Sequence, residues 1–138
     1  MIDKLKKIEI PRNKKTILLY VIFSIGLVIL IREYAGGRSL WVDEAMLALN
    51  IRKSFGELLL PLNNHQTAPI LFLYLSKIFT IIFGFSDYSL RVTPLLSGIG
   101  SFFLFLNTIK KIFNPNGRIL ALSLFIVTDR LIYYINEL

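Results

Sequence analysis

The sequence contains no cysteine, and His65 is its single histidine. Without cysteine the chain has no disulfide framework, no thiolate zinc site and no thiol nucleophile. It also lacks the glycine-rich loop of nucleotide-binding proteins, the HExxH helix of zinc proteases, the GxSxG elbow of hydrolases and any internal repeat. These absences remove the commonest signatures of soluble enzymes and leave the apolar segments as the main feature of the chain.

Apolar residues make up 54% of the 138 residues and aromatic residues 13%, with a mean hydropathy of +0.62. This composition is typical of an integral membrane protein. The formal net charge is +7, and residues 1–15 carry six basic side chains against two acidic ones. The positive-inside rule therefore predicts a cytoplasmic N-terminus. A basic leader also occurs in nucleic-acid-binding arms, but no globular binding module follows, and we expect no nucleic-acid partner.

Three apolar segments are candidates for transmembrane helices. The first lacks the short core and the small-residue cleavage site of a signal peptide, so we expect it to remain in the protein. The predicted order is a basic cytoplasmic leader at 1–15, transmembrane helices at 16–34, 90–109 and 119–136, an extracytoplasmic loop at 35–89, a cytoplasmic loop at 110–118, and the start of a second extracytoplasmic loop at 137–138.

The first extracytoplasmic loop contains two further predicted helices. Residues 42–60 have the pattern of an amphipathic helix that lies along the membrane interface, with Val42, Ala45, Met46 and Leu49 on one side and charged residues at the polar positions. Residues 69–84 offer about fourteen apolar positions with Lys77 in the middle, whereas a span needs roughly twenty residues. The sequence therefore predicts an all-α, polytopic membrane protein with about three transmembrane helices and two interfacial helices.

The charge distribution favours the same topology. If segment 69–84 crossed the membrane, the basic loop 110–118 would lie outside the cell, against the positive-inside rule. If the segment lies flat, the basic loop is cytoplasmic and the polar candidates for a site share the extracytoplasmic face. These candidates are Asp43, Glu44, His65 and Glu137.

Two adjacent carboxylates, Asp43 and Glu44, follow the first predicted span. One explanation is structural, because acidic side chains in the first turn of a helix are stabilised by the helix dipole. The other is chemical, because a carboxylate within hydrogen-bond reach of a reacting group can act as a general base. Spacing alone leaves both explanations open.

Four motifs occur in a fixed order along the chain. They are WVDEA at 41–45, an apolar helix that begins after Pro69, GFSDYSLRVTP at 84–94, and YYINEL at 133–138. Together they resemble the N-terminal part of the GT-C glycosyltransferases, closest to the bacterial family-39-like enzymes related to protein O-mannosyltransferases and to the aminoarabinose transferase of lipid A. In that family the last motif continues as Lys-x-Tyr, so we expect a portion of a longer enzyme that is inactive alone.

The resemblance implies an activity. Such enzymes transfer a sugar from a polyprenyl-phosphate donor to a hydroxyl or amine at the extracytoplasmic face of the cell membrane, and the acceptor is a lipid, a glycan or a protein. Because the lipid phosphate is a good leaving group, the protein chiefly has to supply a base for the acceptor proton. By motif position Asp43 would be that base, and Glu44 would orient it or contact the acceptor.

The resemblance also implies roles for four other residues. Glu137 and His65 would bind the acceptor or a divalent metal, whose identity stays open, while Arg91 and Lys77 would contact the donor phosphate. Plainer explanations exist for each. Arg91 and Lys77 are also suited to anchor the chain at the membrane interface, and one histidine without a partner at ligand spacing is weak evidence for a metal.

Two other classes of protein fit the same pattern. A small, non-enzymatic assembly subunit of the membrane needs only the apolar helices and their aromatic ends. A transporter or flippase fragment would use charges inside the third predicted span, where Asp129 and Arg130 lie.

Overall fold

The computed structural model describes residues 12–37 and 39–128, and all regular secondary structure in these ranges is helical. The all-α prediction is therefore confirmed for the described part of the chain. The α-helices are α1 (Arg12–Ala35), α2 (Val42–Ile51), α3 (Ile70–Phe83), α4 (Asp87–Leu90), α5 (Val92–Ile112) and α6 (Pro115–Val127), with short 3₁₀ helices at Glu57–Leu59 and Asn63–His65.

Two of the helices are long and apolar enough to cross a membrane. They are Asn13–Ala35 within α1 and Val92–Ile112, which is the whole of α5. At 1.5 Å per residue each is roughly 30–35 Å long, close to the ~30 Å thickness of a bilayer core. The third predicted span, 119–136, is described only to Thr128, and its described part forms most of the 13-residue helix α6.

Helices α1, α5 and α6 form a three-helix bundle around one hydrophobic core. The ring of Phe102 is fully buried and makes edge-to-face contacts with Phe23 and Phe125, with centroids 6.3 and 5.1 Å away. Such aromatic pairs add to the free energy gained from apolar burial. The buried members of this core are Leu19, Phe23, Phe102, Leu106, Ile109, Leu122 and Ile126.

Helices α1 and α5 run antiparallel. Near the end of α5, Lys110 Nζ donates to the hydroxyl of Tyr20 near the beginning of α1, at 2.8 Å. At the other end, the Tyr34 hydroxyl donates to the carbonyl oxygen of Tyr88 (3.0 Å), and the Tyr88 hydroxyl donates to that of Ala35 (3.5 Å). The loop between α1 and α5 therefore leaves and returns at the same end of the bundle.

This loop carries a second hydrophobic core, built by α2, α3, α4 and the first 3₁₀ helix. Its buried members are Leu47, Ala48, Ile51, Leu58, Leu73 and Leu90. A buried hydrogen bond joins the loop to the bundle, because Ser76 Oγ of α3 donates to Thr93 Oγ1 of α5 at 3.1 Å. The second core thus packs on the end of the bundle where α1 ends and α5 begins.

Helix α2 ends earlier than the sequence pattern predicts. The predicted helix 42–60 is helical only to Ile51, where Lys77 Nζ from α3 donates to the carbonyl oxygens of Ile51 (3.1 Å) and Arg52 (3.4 Å). A cation on the last carbonyl groups of a helix satisfies acceptors that have no partner within the helix. The end of α2 is therefore fixed by a neighbouring helix, which the local pattern does not reveal.

A serine-centred turn follows the end of α2. The backbone N–H and the hydroxyl of Ser54 both donate to Glu57 Oε2, at 2.8 and 2.6 Å. These bonds, the side-chain one first, lower the pKa of the Glu57 carboxyl below its ordinary value. Serine competes with helical hydrogen bonding in this way, so the chain turns here and resumes as a 3₁₀ helix at Glu57–Leu59.

Gly26 lies where α1 packs closely against α5 and α6. Helix α6 runs parallel to α1, since Pro115 lies beside Lys15 at one end and Ile126 lies beside Gly26 further along. A Cβ atom added at Gly26 would come within 2.5 Å of Phe102 Cε1 and 2.8 Å of Ile126 Cδ1. Because both of these side chains belong to the bundle core, they have little room to retreat.

We therefore predict that Gly26→Ala lowers the free energy of unfolding by about 1–3 kcal/mol, the usual cost of overpacking a core. Gly100→Ala in α5 is the matched control, because a Cβ atom there meets nothing within 4 Å, and alanine favours a helix over glycine by about 0.5–1 kcal/mol. Thermal unfolding in detergent micelles, followed by circular dichroism, compares the two. Equal melting temperatures for the two variants would contradict the packing described here.

Candidate functional site

The two adjacent carboxylates lie in the first turn of α2, but they differ in environment. Glu44 is buried, with 6% of its surface exposed, whereas the neighbouring Asp43 is exposed. Successive residues of an α-helix point about 100° apart, so one of the pair faces the protein and the other faces out. The sequence pattern predicts the pair, and the fold distinguishes its members.

Glu44 accepts two hydrogen bonds through the same oxygen. Its Oε2 lies 2.8 Å from the backbone nitrogen of Trp41 and 3.0 Å from Arg91 Nη2. The first bond closes the beginning of α2, since Trp41 is the residue before the helix and its N–H has no helical acceptor. The second is an ion pair between side chains that are both about 5% exposed.

Arg91 connects three segments of the chain at this point. It is 4% exposed and lies at the junction of α4 and α5. Its Nη2 pairs with Glu44 of α2 and also lies 3.5 Å from the carbonyl oxygen of Ser39, in the stretch that leads from α1 to α2. Because burial removes water, a guanidinium and a carboxylate in this position depend on each other. The ion pair therefore fixes the beginning of α2 relative to both long helices.

Asp43 is the member of the pair whose carboxylate is accessible to a molecule outside the protein. Among the described residues none forms a hydrogen bond or an ion pair with its side chain, and the side chain is exposed. Its backbone belongs to the turn that the Glu44–Arg91 pair holds. A carboxylate with this accessibility on an anchored turn is chemically suited to accept a proton from a bound molecule.

The structure brings Arg91 to Glu44 but does not bring Lys77 to Arg91. Lys77 lies at the other end of α2, with its ammonium on the carbonyl oxygens of Ile51 and Arg52. The ten residues of α2 separate the two cations by roughly 15 Å. Both cations are already engaged within the protein, Arg91 with Glu44 and Lys77 with the end of α2.

His65 lies in an exposed loop that is tied to α2 by a buried asparagine. Asn50 is 1% exposed; its Oδ1 accepts from the backbone N–H of Asn63 (2.8 Å), and its Nδ2 donates to the Asn63 carbonyl (3.2 Å). Asn64 and His65 follow with φ values of 59° and 54°. The sequence pattern does not identify Asn50 as a site residue, and its only signal is a polar residue among the apolar positions of α2.

No metal centre is assembled within the described ranges. In residues 12–37 and 39–128 no three His, Cys, Asp or Glu side chains are grouped as metal ligands would be. Glu137, the other residue predicted to bind the acceptor or a metal, lies outside the described residues, as do Asp129 and Arg130. The predicted metal or acceptor role of Glu137 therefore stays a prediction.

Comparisons with protein-family models, with curated proteins and with solved structures found no match to this chain. The resemblance of the four motifs to GT-C enzymes stays a prediction on that account. The geometry at the beginning of α2 is therefore the main indication of function.

We predict that removing one partner of the buried ion pair is strongly destabilising. Arg91→Gln and Glu44→Gln should each lower the free energy of unfolding by about 3–5 kcal/mol, because each leaves an uncompensated buried charge. The double variant should cost less than the sum of the two single variants. Thermal unfolding in micelles measures all three.

Asp43→Asn is the control for this cycle, since an exposed side chain without protein partners should change the free energy of unfolding by less than about 0.5 kcal/mol. Additive effects of the two single substitutions would show that Glu44 and Arg91 do not interact in the folded protein.

Proposed function

We propose that this chain is the N-terminal part of a membrane glycosyltransferase that transfers a sugar from a polyprenyl-phosphate donor to an acceptor at the extracytoplasmic face. Asp43 acts as the general base. The observation that carries the proposal is the contrast within the carboxylate pair: Glu44 is buried against Arg91, and Asp43 is exposed on the same turn.

The reaction requires one proton to be removed. A hydroxyl or amine of the acceptor attacks the anomeric carbon, the bond from that carbon to the phosphate oxygen breaks, and the electron pair leaves with the lipid phosphate. Asp43 takes the acceptor proton, which requires its carboxylate oxygen to lie roughly 2.6–3.2 Å from the attacking atom. Glu44 and Arg91 act as positioning residues, since their ion pair holds the turn that presents Asp43.

The position of the turn relative to the long helices supports this proposal. Asp43 follows the end of α1 at Ala35 by eight residues, and the loop returns to the same end through the contact of Tyr88 with Ala35. With α1 and α5 across the bilayer, α3 lies on one side of the membrane and Asp43 lies near the lipid boundary, where a polyprenyl phosphate presents its headgroup. The proposed topology has a cytoplasmic N-terminus and several spans in the cell membrane.

A second candidate is a non-enzymatic assembly subunit. The outer face of α1 favours it, because an open apolar groove of about 550 Å³ runs along that helix and Ile17, Val21, Ile25 and Val28 are each about half exposed or more. Such a face suits lipid and a partner helix equally. The base assignment separates the two candidates, since a subunit without catalytic function does not need Asp43.

The test of the proposed base is Asp43→Asn in the full-length enzyme. Sugar transfer from an isolated polyprenyl-phosphate donor should fall by about 10²–10⁴-fold, the usual contribution of a general base, while the protein inserts and folds as the parent does. The matched control is Asp87→Asn, which removes an exposed acidic side chain from the first turn of α4. Parental transfer rates in Asp43→Asn would refute the base and favour the assembly subunit.

The proposed topology can be tested because the chain has no native thiol. Thr67→Cys and Asp87→Cys flank α3, and Lys111→Cys lies at the other end of α5; all three positions are exposed. A membrane-impermeant maleimide should label the first two in intact spheroplasts and the third only after permeabilisation. Labelling of Thr67→Cys and Asp87→Cys from opposite sides would mean that α3 crosses the membrane.

A further inference from the structure

The described charges are distributed unevenly between the two ends of the bundle: one end carries only basic side chains, and the other carries both acidic and basic ones. Basic side chains from three helices meet where α1 begins, α5 ends and α6 begins, and we call this surface the basic end. It consists of Lys14, Lys15, Lys110, Lys111 and Arg118. The acidic side chains within the described ranges lie at or beyond the other end of the bundle: Glu33, Asp43, Glu44, Glu57 and Asp87. No carboxylate within residues 12–37 and 39–128 therefore lies at the basic end.

Two cations of the basic end are held in place by neutral partners. Arg118 donates from Nε to the carbonyl oxygen of Phe113 (2.8 Å) and from Nη2 to that of Lys110 (2.7 Å). Lys110 Nζ donates to the Tyr20 hydroxyl and lies 4.7 Å from the centre of its ring. These contacts orient the side chains and leave their charges uncompensated, with further N–H groups available to a ligand.

A recess opens between the first turns of α1 and α6. It measures about 30 Å³ and is lined by Lys15, Thr16, Leu19, Pro115 and Arg118. This volume admits a single oxygen-sized group, while the rest of a ligand would stay outside. The recess lies between two cations, so an anionic oxygen suits it best.

Apolar side chains surround the basic end on the flank of the bundle. Ile17, Ile112 and Leu120 are 57%, 69% and 62% exposed, and they lie within one or two turns of the cations. A soluble anion or a nucleic acid makes no use of such a border. A phospholipid does, because its phosphate meets the cations while its acyl chains cover the apolar side chains.

We propose that the basic end binds anionic phospholipid in the cytoplasmic leaflet, with a phosphate oxygen at the recess between Lys15 and Arg118 and the remaining lysines around the headgroup. The proposal rests on the membrane insertion of α1 and α5 and not on the transferase activity. The positive-inside rule explains the orientation of a basic segment, whereas this proposal assigns a specific lipid-binding site to it.

The test uses the 138-residue chain in neutral detergent, with phosphatidylglycerol as the probe and phosphatidylcholine and inorganic phosphate as comparison ligands. Native mass spectrometry measures the bound fraction during titration. Phosphatidylglycerol should bind and the other two should not. Each basic side chain near a lipid surface contributes roughly a 5-fold change in affinity, so Lys15→Gln/Arg118→Gln should weaken binding by roughly 30-fold.

Two further double variants separate charge from folding. Lys14→Gln/Lys111→Gln removes two cations that make no hydrogen bond within the described residues, and it should also weaken binding, by roughly 10-fold or more. Arg52→Gln/Lys53→Gln removes the same charge from the other end of the bundle and should bind as the parent does.

The proposal is overturned if phosphatidylcholine binds as well as phosphatidylglycerol, or if the variants at the basic end and at the other end lose affinity equally. Displacement of the lipid by millimolar inorganic phosphate would show a free-anion site instead. Binding of a short RNA in place of the lipid would show that the basic end recognises nucleic acid.

Discussion

The buried ion pair between Glu44 and Arg91 is the contact on which the loop between the two long helices depends. Its partners lie 47 residues apart in the chain, and their side-chain atoms are 3.0 Å apart in the fold. This contact joins the beginning of α5 to the beginning of α2, and Arg91 also contacts Ser39 in the segment between α1 and α2. Because a lone buried charge costs several kcal/mol, neither partner can leave without the other, and the geometry of the turn that carries Asp43 follows from that constraint.

Helix α3 completes the support of α2 from the other side. Lys77 satisfies the last carbonyl groups of α2, and Ser76, the residue before it, bonds to Thr93 of α5. The position of this short apolar helix is therefore explained by the contacts that it makes with α2 and α5. Tyr74 adds a hydrogen bond from its hydroxyl to the carbonyl oxygen of Phe55 (3.0 Å), so the turn after α2 is held by the same helix.

The sequence predicts what depends on composition and periodicity. Apolar runs of sufficient length predict α1 and α5. The carboxylates at the beginning of α2 agree with the preference for acidic residues in the first turn of a helix. What the pattern misses depends on contacts between distant residues. The end of α2 at Ile51 depends on Lys77, the anchoring of the His65 loop depends on Asn50, and the role of Arg91 depends on Glu44. Each concerns a polar side chain whose partner is fixed only by the fold.

Stability alone does not explain why Glu44 and Arg91 are charged residues. Replacing a buried ion pair by apolar residues of similar volume is often neutral or stabilising in proteins, so a helix end held only for stability could be packed with leucine and methionine. An ion pair differs from apolar packing because its hydrogen bonds fix direction as well as proximity. Here the fixed direction sets the orientation of the whole first turn and, since Asp43 points about 100° from Glu44 around the helix axis, keeps that carboxylate turned away from the protein. The pair thus fixes the beginning of α2, and Asp43 lies on the turn that it holds.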